Sequence, residues 1–169
     1  MDAVNNSQNI NNIMSNIDLG PNGSIQLMFA KLQLAQSEIC KGQADEYMKQ
    51  ITNIQDEQKK CADMISRARE LQNTAKESGG TTEMPADMVK YFTDNGISME
   101  TTGKDTQHNK DEWDYNLKGL TNFQEQIGTK TQTLMVYLQD FIGQYNSYLQ
   151  GANSAIKDSN QTLQSIIAR

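Results

Sequence analysis

Proline, histidine, tryptophan and positive charge are all scarce in this chain, and each scarcity narrows what it can be. There are two prolines, one histidine, one tryptophan and two cysteines in 169 residues. Aromatic side chains account for 7%, and a mean hydropathy of −0.71 describes a meagre core for this length. Gln, Asn, Ser and Thr fill the space instead. With 15 basic residues against 21 acidic ones, the formal net charge is −6. No basic block interrupts it, which argues against nucleic acid and against an anionic membrane surface as partners. No run approaches the roughly 20 apolar residues of a membrane span. The start, MDAVNNSQNINNIMSNIDLGPNGS, has neither the basic opening nor the apolar run of a Sec signal peptide, so Sec-dependent secretion is not expected.

Reactive chemistry is thin as well. Cys40 and Cys61 fall on one expected helix, about 30 Å apart at a rise of about 1.5 Å per residue, too far for a disulfide. They read as buried free thiols acting as small apolar residues. His108 lies in a polar connector, TGKDTQHNKDEW, where no second metal ligand or activated nucleophile is expected beside it. Acidic residues are spread along solvated helix faces rather than paired in a pocket. The SGG and PNGS stretches lack the strand-to-helix context and the Lys-Ser/Thr of a phosphate loop. Trp113 reads as a packing residue where two helices meet, with a host contact as the lesser alternative. The expectation is a protein that is not an enzyme, with no catalytic residue, metal site, cofactor or small-molecule substrate.

What the sequence does have is helical periodicity. Residues 1–23 are Asn-rich, carry Gly20, Pro21 and Gly23, and are expected to be flexible. A single helical domain is expected over 24–169: a helix over 24–78, a connector with a short helix over 79–108, and a helix over 109–168. Ser24 can cap the first helix, and Gly79-Gly80 can stop it. Ala44, Tyr47, Ile51, Ile54, Gln58, Cys61, Ile65, Ala68, Gln72 and Ala75 alternate spacings of three and four, a heptad seam. Asp45 with Lys49, Asp56 with Lys60 and Asp63 with Arg67 place acid before base on the outer surface. Upstream, Met28, Leu32, Ala35 and Ile39 form a stripe out of phase with that seam, which predicts a slip near Gly42.

In the connector, Pro85 is expected in the first turn of a helix ending near Asp94, with Gly96 taking the left-handed conformation that closes many helices. Ile97 then packs on Phe92, and Met88, Tyr91 and Phe92 form one apolar face. The second long helix is expected to open at Asn109, with Glu112 completing a capping box. Its seam runs Trp113, Leu117, Leu120, Gln124, Ile127, Thr131, Leu134, Leu138, Phe141, Tyr145, Tyr148, Ala152, Ala155, Ser159, Thr162 and Ile166. Two such helices predict an all-α fold, an antiparallel coiled-coil hairpin.

A lone hairpin leaves one feature without a use. Met135, Ile142, Leu149, Ile156 and Leu163, each seven apart, add a further apolar column that widens the stripe beyond one partner helix. Between Thr131 and Ile156, Asp140 is the sole charged residue. Gly119, Gly128, Gly143 and Gly151 each cost about 1 kcal/mol relative to Ala in a helix interior and suggest close backbone approach. The pattern predicts assembly through this helix. The alternative is a monomeric bundle in which the extra column packs on the 85–94 helix and on residues 25–39.

Two stretches, IQLMFAKLQLAQSEI (residues 25–39) and MPADMVKYFTDNGISME (residues 84–100), resemble the matching segments of type III secretion translocon filament proteins of the EspA/SseB type. Pro85, Asp87, Val89, Tyr91, Asp94, Asn95 and Gly96 fill the places of that family's Pro-Asp-Val/Ile-x-x-Tyr segment and Asp-Asn-Gly turn. The stretch from Thr101 to Lys110 is short for the family. The resemblance implies an extracellular filament subunit of a Gram-negative bacterium, exported through a type III apparatus by its flexible start and held beforehand by a dedicated chaperone. It would form a homo-polymer: a hollow conduit between the needle and pore-forming translocators, its lumen lined by polar residues such as Gln139, Asn146, Gln150 and Asn153. A hydrophilic needle-tip protein and a cytosolic helical chaperone or regulator are the alternatives.

Overall fold

The structure, a computed structural model, describes residues 10, 12–19 and 24–168. Residues 12–16 are helical; the rest of the 1–23 segment, on which most of the expectation of flexibility falls, lies largely outside the described residues. The fold is all-α, with two long helices that pack against each other. In chain order the elements are α1 (Ile25–Ser78), β1 (Thr82–Glu83), α2 (Ala86–Asp94), a 3-10 turn (Thr102–Lys104), β2 (Gln107–His108) and α3 (Lys110–Ile167).

Local chemistry sets the ends of the helices. At the start of α1, the Leu27 N–H donates to Ser24 Oγ at 3.2 Å, which satisfies one of the orphan donors of the first turn. Its end is a double closure: Gly80 N–H to the Ala75 carbonyl and Gly79 N–H to that of Lys76, with Gly79 at φ +67°. The end of α2 repeats the device, Ile97 N–H bonding the Phe92 carbonyl and Gly96 N–H that of Thr93, with Gly96 at φ +62°. Both are the paired 6→1 and 5→2 bonds that stop a helix at a left-handed residue. α3 opens on a reciprocal box: Asn109 Oδ1 accepts from the Asp111 and Glu112 N–H groups, and Glu112 Oε2 accepts from the Asn109 N–H at 2.7 Å.

In its secondary structure and helix phase the structure differs from expectation at three places. Pro85 is the residue before α2, not in its first turn: its ψ of 146° is extended, and only its carbonyl joins the helix, accepting from Met88 and Val89. α1 runs unbroken through Gly42, and its buried frame of Ala30, Ser37, Cys40 and Ala44 keeps the heptad phase of the seam beyond it; of the out-of-phase stripe, Ala35 is also buried. Small and polar side chains carry this frame, whereas the large Met28 stands exposed. The connector also holds a two-residue antiparallel ladder, Thr82 opposite His108 and Glu83 opposite Gln107, too short to carry an alternating pattern in sequence.

The chain forms two compact units, residues 51–133 and residues 1–50 with 134–169. In the first, α2 lays Met88, Tyr91 and Phe92 against a core of Cys61, Ile65, Ala68, Ala75, Met84, Trp113, Leu120 and Ile127. Trp113 Nε1 donates to Thr82 Oγ1 at 2.8 Å, and that hydroxyl donates to the Leu71 carbonyl at 3.0 Å. Outside the core, Arg67 pairs with Asp87 at 2.6 and 3.0 Å rather than with Asp63, and Lys60 lies 3.8 Å from Glu57. In the second unit, Tyr47 meets Tyr137 and Phe141 with ring centroids 5.7 and 5.4 Å apart. The Ser24 and Ser159 hydroxyls meet at 3.2 Å, and a Cβ on Gly151 would stand 2.8 Å from Gln33 Oε1.

Candidate functional site

The two units divide their apolar side chains in opposite ways. In the unit of residues 1–50 and 134–169 the buried positions are small: Ala30, Ala35, Ser37, Cys40, Ala44, Ala152, Ala155 and Ser159, with Leu134 the large exception among the described residues. Each small side chain lets the helices approach closely but removes little area from water, at about 25 cal/mol per Å². Large side chains of the same unit are half-buried at best or face solvent, Leu134 apart. Ile25, Met28, Phe29, Met48, Met135, Val136, Tyr137, Ile142, Leu163, Ile166 and Ile167 are exposed, Val136 at 63% and Ile142 at 44%. In the other unit Tyr115 alone, among the described residues, is a large apolar side chain left this open. Asp140, the lone charge of the 131–156 stretch, accepts a hydrogen bond from Gln144 at 3.0 Å.

The residues singled out from sequence fall into three groups. Ile51, Ile65 and Leu134 are buried, and Ile54, Leu138, Phe141, Tyr145 and Tyr148 are half-buried along the helix contact. Met135, Ile142 and Leu163 of the extra column are exposed, whereas Leu149 and Ile156 are half-buried. The seam closes at Ser159, since Thr162 and Ile166 are exposed. Around α2, Tyr91 and Phe92 are buried, Pro85 and Ile97 half-buried, and Gly96 exposed. Sequence reading missed Val136 and Tyr137, which extend Met135 into three consecutive exposed apolar residues. The charge-free run around them was the available signal. Of the four glycines within α3, Gly119 and Gly151 meet close neighbours, but a Cβ on Gly128 or Gly143 would meet nothing within 4 Å.

The thiols and the Tyr91 phenol are held in their neutral forms. Burial, and then Asp140, raises the Cys40 pKa; burial is likewise the largest cause at Cys61. Tyr91 is raised as well, by burial and then by Glu57. Protonated, buried thiols behave as small apolar residues and are poor nucleophiles.

The connector contains a polar cluster that the sequence did not suggest. Glu100 lies beside His108 and Glu112 stands near both, contrary to the expectation that nothing beside it supplies a second ligand. One donor atom from each of the three lies within 4.8 Å of the others. His108 is fully buried, its ring edge-on to Trp113 with centroids 5.2 Å apart. Its Nδ1 stands 3.5 Å from Glu100 Oε2, and neither of these atoms nor His108 Nε2 has a hydrogen-bond partner. A buried polar group left without a partner costs about 1–3 kcal/mol. Glu100 Oε1 accepts from the Thr102 N–H at 2.7 Å; hydrogen bonding from the Thr102 side chain, and then from this N–H, holds its carboxyl below the usual range.

No family model, curated protein or solved structure matches the chain. Among the described residues, no helix is long and apolar enough to cross a membrane.

Proposed function

We propose that the chain is a structural protein that assembles with copies of itself through the unit of residues 1–50 and 134–169. More specifically, we read it as the subunit of an extracellular type III secretion filament of the EspA/SseB type. The observation that carries the first step is the inverted unit: mostly small side chains at the fully buried positions, many large apolar ones exposed, and almost no charge along the middle of α3. Contiguous exposed apolar surface marks an interaction site or an aggregation hazard. A second copy of the same helices supplies the chemistry that covers it.

The finer architecture in this proposal is an antiparallel coiled-coil hairpin. Gln72 bonds Asp114 and Cys61 bonds the Leu120 carbonyl in one unit; Tyr47 stacks on Phe141, Cys40 bonds Gln144 and Ser24 meets Ser159 in the other. In each set residue numbers fall on α1 as they rise on α3, which supports that reading. The second step rests on the resemblance of residues 25–39 and 84–100. It brings with it export through a type III apparatus, a dedicated chaperone before export, and contact with the needle and the pore-forming translocators. No catalytic role, nucleic acid or small-molecule substrate enters the proposal.

The test separates the outward residues from the inward ones. Leu138 and Phe141 are half-buried within the chain, so a charge there also disturbs the helix pair. Met135→Asp with Ile142→Asp places charge only on the exposed column. The double variant is expected to keep its helical circular dichroism and to lose fibres in electron micrographs of the secreted material. Fibres of unchanged length and number would sink the assembly reading.

A further inference from the structure

We propose that Glu100, His108 and Glu112 bind one divalent transition-metal cation of the zinc type, which fastens the connector to the first turn of α3. The cluster lies within the 51–133 unit and is independent of the surface that drives assembly. Two separate observations lead to it. One is convergence: three donor-bearing side chains from three chain segments bring an atom each within 4.8 Å of one another. In a four-coordinate zinc site with bonds of about 2.0–2.2 Å, donors sit roughly 3.3–3.5 Å apart, so closing this cluster takes about an ångström of carboxylate rotation.

The other observation is the orphaned imidazole. His108 is 0% exposed, with no hydrogen-bond partner on either nitrogen, and the Glu100 Oε2 beside it is buried and equally unpartnered. Buried polar atoms in folded proteins are nearly always satisfied. A cation satisfies one imidazole nitrogen and the carboxylate oxygen together, without placing a second proton on the ring. It also balances the charge, two carboxylates and a neutral imidazole against 2+. The donor set of one nitrogen and two oxygens selects a borderline transition ion over Ca²⁺ and Mg²⁺, which take oxygen cages.

The ligands are held for this role from behind. Glu100 is fixed through Oε1 by the Thr102 N–H, and its own N–H donates to Oδ1 of the fully buried Asn116 at 2.7 Å. Glu112 is fixed through Oε2 by the capping box. Each carboxylate therefore spends one oxygen on backbone and keeps the other for a ligand. His108 is positioned by its ladder partner Thr82 and by the Trp113 ring. Three protein ligands leave the remaining coordination to water.

The experiment uses the full chain, freed of metal by chelation and titrated with Zn²⁺ in a calorimeter, with Co²⁺ as a spectroscopic probe. One ion per chain is expected, with a rise in the unfolding temperature that Mg²⁺ does not reproduce. Glu112→Gln keeps the capping acceptor and thus the fold. It and Glu100→Gln are each expected to weaken Zn²⁺ at least roughly tenfold, and His108→Gln to weaken it further. Co²⁺ should show d–d bands without a thiolate charge-transfer band. The proposal is overturned if the wild-type chain takes up no ion, if Glu112→Gln and His108→Gln bind as tightly as wild type, or if a thiolate band identifies Cys40 or Cys61 as the ligand.

Discussion

The Thr82 hydroxyl joins three pieces of chain: it accepts from the Trp113 indole and donates to the Leu71 carbonyl. Thr82→Val keeps the shape and strands the buried indole N–H, a cost of about 1–3 kcal/mol, whereas Thr82→Ser retains both bonds and most of the stability. Urea unfolding followed by the fluorescence of the single tryptophan measures the difference. A charge pair on the same unit makes a second prediction. Hydrogen bonding to Arg67 holds the Asp87 carboxyl below its usual range, so the pair stabilises the folded chain above the unfolded carboxyl value of about 3.9. That stability is lost as pH falls through the depressed folded value. Both groups are largely open to solvent, so the effect is small: wild type should exceed Asp87→Asn in stability at neutral pH, and the gap should close in acid below about pH 4. Whether a contact at this scale is legible in the sequence depends on distance along the chain. Ser24, Gly96 and the Asn109–Glu112 box act on neighbours within three or four residues, and their roles follow from local spacing. The Thr82–Trp113 bond and the Glu100–His108–Glu112 cluster join segments brought together only by the connector's path, and nothing in local spacing announces them.

Among the elements, α1 and α3 are legible because a period of three and four persists over many turns. The stretch of α1 before Gly42 is instructive. Hydrophobic counting follows Met28, Leu32, Ala35 and Ile39, but packing buries only Ala35 of these, together with Ala30, Ser37, Cys40 and Ala44, since close helix approach rewards small volume over hydrophobicity. The same distinction separates two glycines of α3. A Cβ on Gly119 would stand 2.8 Å from the Ser98 carbonyl oxygen and 3.2 Å from Ile97 Cγ2. Because the closest atom is backbone, Gly119→Ala is expected to destabilise by about 1–3 kcal/mol. Gly143 has open space around it, so Gly143→Ala should stabilise the unassembled chain by roughly 0.5–1 kcal/mol through helix propensity alone. If a second copy packs on that face, the same substitution slows fibre growth despite the more stable chain. Denaturant midpoints of both variants, set beside their polymerisation rates, test the pair of statements together.

For the whole molecule, the division into two units with opposite apolar distributions makes stability uneven along continuous helices. Local opening is governed by how much apolar contact an opening breaks. In residues 51–133 that means Trp113, Phe92, Met84, Met88 and Leu120, all almost fully buried. In residues 134–167 it means chiefly Leu134, Ala152, Ala155 and Ser159. Amides of α3 before residue 134 are therefore expected to exchange hydrogen far more slowly than those after it in the unassembled chain, although one helix contains both. Assembly should reverse the weakness, slowing exchange over 134–167 and over 25–50 while leaving 51–133 little changed. Hydrogen exchange read by mass spectrometry on unassembled and polymerised material gives both profiles. Equal protection along α3 before assembly would mean that the small-residue unit hides enough apolar surface by itself, and the chain would then have no uncovered face to drive polymerisation.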